Sequence, residues 1–202
     1  MRGRLTWTGQ AGHAGTTPMR MRRDALAGAA EFVLAVESFA RRQPQLVATV
    51  GTISVPAGAA NVIPGATVHS LDVRHPLDAT CRAARAKLLA LAKQIARRRG
   101  LTLTWEQSMD HAAVPCAPQL TALLAQSVRA VQGRSLALVS GAGHDAVVMS
   151  TVTPVAMLFV RCRAGLSHHP AEYASPADLQ VSLRVVVDFL QRLAKEPNRQ
   201  SF

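Results

Sequence analysis

The chain has 202 residues, a length that fits one large domain or two small ones. Hydrophobic residues make up 49% of it, as in a soluble globular protein with a real core, and the lack of an apolar run of about 18 residues argues against a transmembrane helix. The net charge of +11 raises the hypothesis of a nucleic-acid binder. Because several arginines close predicted helices, and one Tyr and two Trp offer little base stacking, nucleic acid is not the expected partner.

Cysteine usage and the first residues predict a cytoplasmic protein. Cys81, Cys116 and Cys162 are far apart and form no Cys-x-x-Cys pair, which argues against a disulfide framework and against a cysteine zinc site. The first ten residues turn polar too early for a signal peptide, so export is not expected.

The first 111 residues carry six predicted elements, identified by alternating or helical spacing of apolar residues. They are a strand over residues 4–8, a helix over 24–42, strands over 46–55 and 67–74, a helix behind Asp78, and a strand that begins at 101 and extends at most to 111. Loops rich in Gly, Thr and Pro lie between them at 9–19 and 57–65. Asp24 suits the positive end of the first helix, while Asp78 takes the N-cap position of the second helix and Gly100 ends it.

The order strand, helix, strand, strand, helix, strand is typical of a ferredoxin-like sandwich. It predicts two helices on one face of a four-stranded antiparallel sheet. The first part of the chain is therefore expected to be an α+β domain.

The second half alternates helix and strand, which predicts α/β architecture. Its elements are a helix over 120–131, a strand over 136–139, a glycine turn over 140–145 leading into a short helix, a buried strand over 154–160 and an amphipathic helix over 176–193. Two strands in roughly 90 residues make a poor independent sheet. This half is therefore expected to be part of a larger domain.

Two loops near the predicted strands carry candidate substrate contacts. His13 lies in a glycine-rich loop, where it could donate to a carbonyl or move a proton, although a loop histidine that caps its own turn is the favoured plain alternative. Asn61 could donate to a developing negative oxygen, and Arg74 could hold a carboxylate in bidentate fashion. The plain alternatives are a turn asparagine and a solvated strand arginine.

A third loop, residues 165–172, contains the adjacent histidines His168 and His169. Imidazole is a common zinc ligand, but adjacent side chains diverge, so one ligand is expected rather than two. A metal needs three or four protein ligands, and the chain contains no His-x-Asp and no Glu-Glu pair. One histidine cannot hold a metal here unless other ligands arrive from elsewhere.

Five stretches together resemble the carbamoylase and allantoate amidohydrolase branch of the metallo-aminoacylase and carboxypeptidase clan. They occur in the family's order, cover nearly the whole chain, and are residues 9–19 followed by Arg23-Asp24-Ala25-Leu26, residues 60–65, Asp72-Val73-Arg74, residues 140–146 and residues 167–173. The resemblance implies a two-domain enzyme with a dimetal catalytic domain and an inserted lid that dimerises. By it, residues 1–112 are the lid and residues 113–202 are the C-terminal part of the catalytic domain.

The resemblance also implies roles for single residues. His168 matches the last metal ligand, His13 and Asn61 match lid residues that hold the substrate, and Arg74 matches the residue that binds its carboxylate. One of the two glycines Gly141 and Gly143 matches a backbone contact to the substrate. In such families, lid residues can serve the active site of the partner subunit of a homodimer.

The family's other metal ligands and its catalytic Glu precede the lid, and nothing in this chain matches them. A divalent metal (zinc, manganese, cobalt or nickel) is expected in a full-length family enzyme, and none is expected on this chain alone.

The leading hypothesis is a fragment of a metal-dependent amidohydrolase that cleaves the carbamoyl or ureido C–N bond of an N-carbamoyl amino acid or an allantoate-like substrate, inactive on its own. The alternatives are a non-catalytic dimerisation or binding module and a basic nucleic-acid binder.

Overall fold

The structure is a computed structural model that describes residues 1–195, and it divides into two compact units. The first unit is Met1–Ala113, and the second begins at Val114. None of the helices in residues 1–195 combines the length and the apolar character that a membrane span requires.

The first unit is built on an antiparallel sheet of five strands. These are β1 (Arg2–Thr8), β3 (Val47–Thr49), β4 (Ile53–Ser54), β6 (Ala66–Arg74) and β7 (Thr102–Met109), in the order β3-β6-β1-β7, with β4 also paired to β6. A second, two-stranded sheet pairs β2 (Gly12–His13) with β5 (Val62–Ile63). The predicted elements occur in the predicted order along the chain, with the short strands β2 and β5 in addition and the predicted strand 46–55 divided into β3 and β4.

Buried and half-buried residues alternate along β6, which explains why one face of the sheet is buried. Every second residue of this strand is buried, from Thr67 through His69 and Leu71 to Val73. On β1 the buried positions are Gly3, Leu5 and Trp7. Successive side chains of a strand point to opposite faces, so these residues form one buried face of the sheet.

Helices α1 (Ala25–Arg41) and α2 (Asp78–Arg99) belong to the same buried cluster as that face. Asp24 lies at the start of α1, as expected, and it is the N-cap, since its carboxylate accepts from the Ala27 amide at 3.0 Å. Gly100 ends α2 with φ 65°, a left-handed conformation that glycine adopts without a steric penalty. Gly28 lets α1 approach the sheet closely, because an added Cβ would lie 2.4 Å from Leu101 Cδ1.

Two sequence predictions in the first unit are wrong. Residues 46–55 are not one strand, because the amides of Gly51 and Thr52 donate to the Ser70 hydroxyl at 3.1 and 3.0 Å and leave the ladder between β3 and β4. Asp78 is not the N-cap of α2, since Leu77 takes that position and the Asp78 carboxylate accepts from the Ala113 amide at 2.9 Å.

The second unit contains three helices in the described residues. These are α3 (Pro118–Gln132), the short α4 (Asp145–Met149) and α5 (Pro176–Lys195). Helices α3 and α5 pack together, burying Leu123, Leu124 and Val185. The three helices predicted for this half are confirmed.

The two strands predicted in the second unit, at 136–139 and 154–160, do not form within residues 1–195. A strand exists only when a neighbouring strand accepts and donates its backbone hydrogen bonds, and the described residues bring none beside these segments. The segment predicted to be buried at 154–160 is half-buried to exposed, and Leu136 is 81% exposed.

Candidate functional site

The short β2–β5 pairing brings together two of the residues predicted from the sequence. His13 lies opposite Val62, the residue after Asn61, and the Ala14 amide donates to the Asn61 carbonyl oxygen at 2.9 Å. Both side chains are exposed. Two loops that are 48 residues apart in sequence are therefore joined through their backbones at His13 and Asn61.

The local hydrogen bonds of His13 decide which of its ring nitrogens can donate. The Gly15 amide donates to His13 Nδ1 at 3.0 Å, so Nδ1 is an acceptor. In the neutral ring the proton is then on Nε2, which is left to donate to a ligand. His13 therefore accepts a hydrogen bond within its own turn, as the plain alternative predicts. Its other ring nitrogen can still donate to a ligand.

Arg74 forms a salt bridge with Asp72. Its Nε and Nη2 donate to the two carboxylate oxygens of Asp72 at 3.0 and 2.6 Å, and Arg2 binds the same carboxylate with Nη2 at 2.9 Å. Burial alone would raise the pKa of Asp72, but the hydrogen bonds from Arg74 and Arg2 outweigh it and hold the pKa below its usual value. The contact with Asp72 raises the pKa of Arg74.

Asp72 is the contact that the sequence analysis missed. Residues two apart on a strand share a face, so the spacing of Asp72 and Arg74 on a predicted strand was an available signal. Two guanidinium groups, those of Arg2 and Arg74, share the one carboxylate of Asp72.

Arg74 and His13 do not lie near one another in the first unit. Arg74 ends β6, and eight steps of about 3.3 Å place its Cα about 26 Å from that of Ala66, at the other end of the strand. Gly65, next to Ala66, accepts from the Gly9 amide, and β2 and β5 continue the pairing of β1 with β6 beyond that point. A small substrate held by His13 and Asn61 is thus out of reach of Arg74 of the same protomer.

In the second unit, Gly141 and Gly143 lie in an exposed turn before α4. The Ser140 hydroxyl organises this turn: it accepts from the Ala142 amide at 3.2 Å and lies 3.0 Å from His144 Nε2. A Cβ added at either glycine would meet no atom within 4 Å. Packing therefore does not require a glycine at either position.

His168, the predicted metal ligand, is exposed and has a backbone φ of 58°. This left-handed conformation is uncommon outside glycine, and it clusters at functional sites. Its amide donates to Glu172 Oε2 at 2.9 Å, while the neighbouring His169 uses Nδ1 to accept from the Ala171 amide at 3.0 Å. The loop thus holds the two rings differently, as expected for adjacent residues.

A metal centre made by this chain alone does not fit these residues. Within residues 1–195 there is no group of three or more His, Cys, Asp and Glu side chains that could hold a metal ion. His168 could contribute one imidazole, and a protein metal site takes three or four ligands.

Comparisons with known proteins point to one family. Residues 11–192 match the model of peptidase family M20/M25/M40. The chain is 37% identical over 182 residues to the N-carbamoyl-L-amino-acid amidohydrolase of Pseudomonas sp. (strain NS671), covering 89% of this chain and 44% of that protein. It is 36% identical over 215 residues to the allantoate deiminase of Arabidopsis thaliana, covering 93% of this chain and 41% of that protein.

A solved structure agrees with these relatives. The amidase of the hydantoinase/carbamoylase family from Burkholderia vietnamiensis superposes with a TM-score of 0.87 at 37% identity, covering 97% of this chain and 48% of the other. The chain spans less than half the length of each of these proteins. The resemblance found in the sequence is thereby confirmed.

Proposed function

The chain belongs to peptidase family M20/M25/M40, and we propose that it supplies the substrate-binding lid and the end of the catalytic domain of an amidohydrolase. The bond cleaved is the carbamoyl or ureido C–N bond of an N-carbamoyl amino acid or an allantoate-like substrate. Support comes from the relatives, which are named for N-carbamoyl-L-amino acids and for allantoate. Both substrate types combine a ureido carbonyl with a carboxylate.

The observation that carries the proposal is the pairing of the His13 and Asn61 loops. His13 Nε2–H and the Asn61 carboxamide are two donors that could converge on one carbonyl oxygen. As the C–N bond breaks, negative charge grows on that oxygen, and donors already in place stabilise the transition state.

Arg74 is the proposed carboxylate-binding residue. Its planar fork already binds one carboxylate, that of Asp72, which Arg2 also binds. A ligand carboxylate could share or replace this contact. Since Arg74 lies about 26 Å from the His13 end of β6, the proposal assigns the two to different active sites of a dimer.

The first unit is proposed to be a ferredoxin-like lid that dimerises. Its sheet leaves β7 at one edge and β3 at the other, with unpaired backbone groups that proteins normally pair or cover. A two-fold pairing of two lids would carry His13 of one protomer toward the site that holds Arg74 of the other.

The second unit is proposed to complete a larger α/β domain together with polypeptide outside these 202 residues. Apolar side chains of the two segments predicted to be strands are exposed, and so are several on α5, where Leu183 is 63% and Leu190 is 54% exposed. Strands contributed from elsewhere would pair with those segments and bury this surface.

The M20 family is generally metal-dependent, and a bound metal would activate water and polarise the carbonyl. His168 is proposed as one ligand, with the others supplied by the same outside polypeptide. The residues of this chain would bind and orient the substrate and stabilise charge on its carbonyl oxygen.

The test is a rebuilt full-length enzyme, with the matching N-terminal part of the Pseudomonas relative joined to this chain. Hydrolysis of an N-carbamoyl-L-amino acid or of allantoate by the joined protein, and not by the 202-residue chain, supports the proposal. A folded, metal-loaded joined protein without activity on either substrate would favour the alternative of a non-catalytic dimerisation or binding module.

A further inference from the structure

The side chain of Arg22 closes the loop that carries His13. A 3-10 turn, Met19–Met21, returns the chain so that half-buried Arg22 faces the His13 turn. Arg22 Nε donates to the Thr17 carbonyl oxygen at 3.0 Å, and Arg22 Nη2 donates to the Ala14 carbonyl oxygen at 2.6 Å.

These two carbonyls bracket the turn that fixes the imidazole. Within it the Gly15 amide donates to His13 Nδ1 at 3.0 Å, and the Thr17 amide donates to the His13 carbonyl oxygen at 3.1 Å. One charged group therefore binds both ends of a turn whose own hydrogen bonds set the position of His13. Hydrogen bonds from an ionised donor are stronger than neutral ones, so this contact is a strong restraint on the turn.

We propose that Arg22 is a positioning residue for His13. It holds the turn so that the Gly15 amide occupies Nδ1 and the Nε2–H is kept as the donor toward the substrate. This inference rests on the proposed function for its catalytic meaning, although the restraint itself is independent of any reaction.

The two hydrogen bonds explain why position 22 requires an arginine. Two separate nitrogens of one guanidinium bind the two carbonyl oxygens, and arginine has this planar fork whereas lysine lacks it. A glutamine at 22 would leave at least one of the carbonyls without this donor. The turn would then loosen, and the Gly15 to His13 hydrogen bond would lengthen or break.

The first measurement is the scalar coupling across the N–H···N hydrogen bond, between the Gly15 amide nitrogen and His13 Nδ1, in the 15N-labelled 202-residue chain. An internal control lies in the same spectrum, because the Trp7 indole donates to His69 Nε2 at 2.8 Å in the core of the same unit. Arg20→Gln is the matched variant, since Arg20 is exposed on the same 3-10 turn and its side chain forms no hydrogen bond or ion pair within residues 1–195.

Arg22→Gln should abolish the Gly15–His13 coupling and leave the Trp7–His69 coupling intact. Arg22→Lys should keep part of it, and Arg20→Gln should keep all of it. A Gly15–His13 coupling that is unchanged in Arg22→Gln would overturn the proposal. If Arg22→Gln also loses the Trp7–His69 coupling, the comparison is made with Arg22→Lys, and there an unchanged Gly15–His13 coupling overturns the proposal.

The second measurement is kinetic, in the rebuilt full-length enzyme. Misplacing a catalytic group by about 1 Å can cost up to about 10²-fold, so Arg22→Gln should lower kcat by about tenfold to a hundredfold with KM nearly unchanged. If His13→Ala lowers kcat and Arg22→Gln does not, Arg22 is not a positioning residue. If His13→Ala itself has no effect, the proposed function of His13 is wrong. The Gly15–His13 coupling then still shows whether Arg22 holds the turn.

Discussion

Arg74 donates two hydrogen bonds to Asp72, from Nε at 3.0 Å and from Nη2 at 2.6 Å. The guanidinium is thus already shaped to hold a carboxylate. In the rebuilt enzyme, Arg74→Lys should cost about 2–3 kcal/mol of transition-state binding, which is roughly a 30- to 150-fold fall in kcat/KM, because lysine keeps the charge and loses the fork.

The control for this prediction is Arg41→Lys. Arg41 binds Glu37 through Nε at 3.0 Å and Nη2 at 2.6 Å, the same distances, on the exposed surface of α1. Arg41→Lys should leave kcat/KM unchanged. A substrate analogue without the carboxylate should show little difference between wild type and Arg74→Lys, and equal kinetics on the carboxylate substrate would instead mark Arg74 as a plain strand residue.

His13→Ala should lower kcat more than it raises KM, because an oxyanion donor acts mainly in the transition state. Loss of such a donor costs about 10²–10³ in kcat. His75→Ala is the matched control, since His75 Nδ1 also accepts from a backbone amide two residues on, that of Leu77 at 2.9 Å. A rise in KM alone for His13→Ala would reduce its role to simple binding.

The stability of the first unit should fall in mild acid because of His69. This side chain is 1% exposed, its Nε2 accepts from the Trp7 indole, and burial lowers its pKa below the ordinary 6.5, against a smaller opposing effect of the Ser70 carbonyl. His69 therefore binds a proton more readily in the unfolded chain than in the folded chain. The stabilisation is present above pH 6.5 and is lost as the pH falls from 6.5 toward the folded-state pKa.

Urea unfolding at about pH 7.5 and about pH 5.5 measures this effect. The wild type should lose stability between the two values. His69→Gln, which retains an acceptor for the Trp7 indole but does not titrate, should lose less. An equal loss in both proteins would exclude His69 as the source.

The 202-residue chain should retain no stoichiometric zinc or manganese after dialysis. Only His168 matches a family ligand, and residues 1–195 contain no group of three or more side chains that could hold a metal. Elemental analysis gives the answer directly. About two tightly held ions per chain would contradict the assignment of the other ligands to outside polypeptide.

The sequence predicted best those elements that depend on interactions between residues close together in the chain. The cap of α1 by Asp24, the end of α2 at Gly100 and the alternation along β6 each follow from residues a few positions apart. The break within residues 46–55 did not, because it depends on the Ser70 hydroxyl, about 20 residues away in sequence.

The same distinction holds for the candidate site. The residue types at His13 and Asn61 were recognisable, but their juxtaposition depends on the β2–β5 pairing. The two missing strands of the second unit were misjudged for a related reason. An apolar segment predicts a strand only if a partner strand is present, and the described residues supply none there.

We propose that His13 and Arg74 of one chain serve two different sites of a dimeric ureido hydrolase. The test uses two impaired rebuilt enzymes, His13→Ala and Arg74→Lys, which are mixed, unfolded together and refolded as dimers whose mass is checked by light scattering. In each mixed dimer one site would receive both intact residues, so roughly a quarter of all sites should regain wild-type hydrolysis of an N-carbamoyl-L-amino acid. Activity no greater than the mean of the two separate variants, with mixed dimers shown to be present, would contradict the claim.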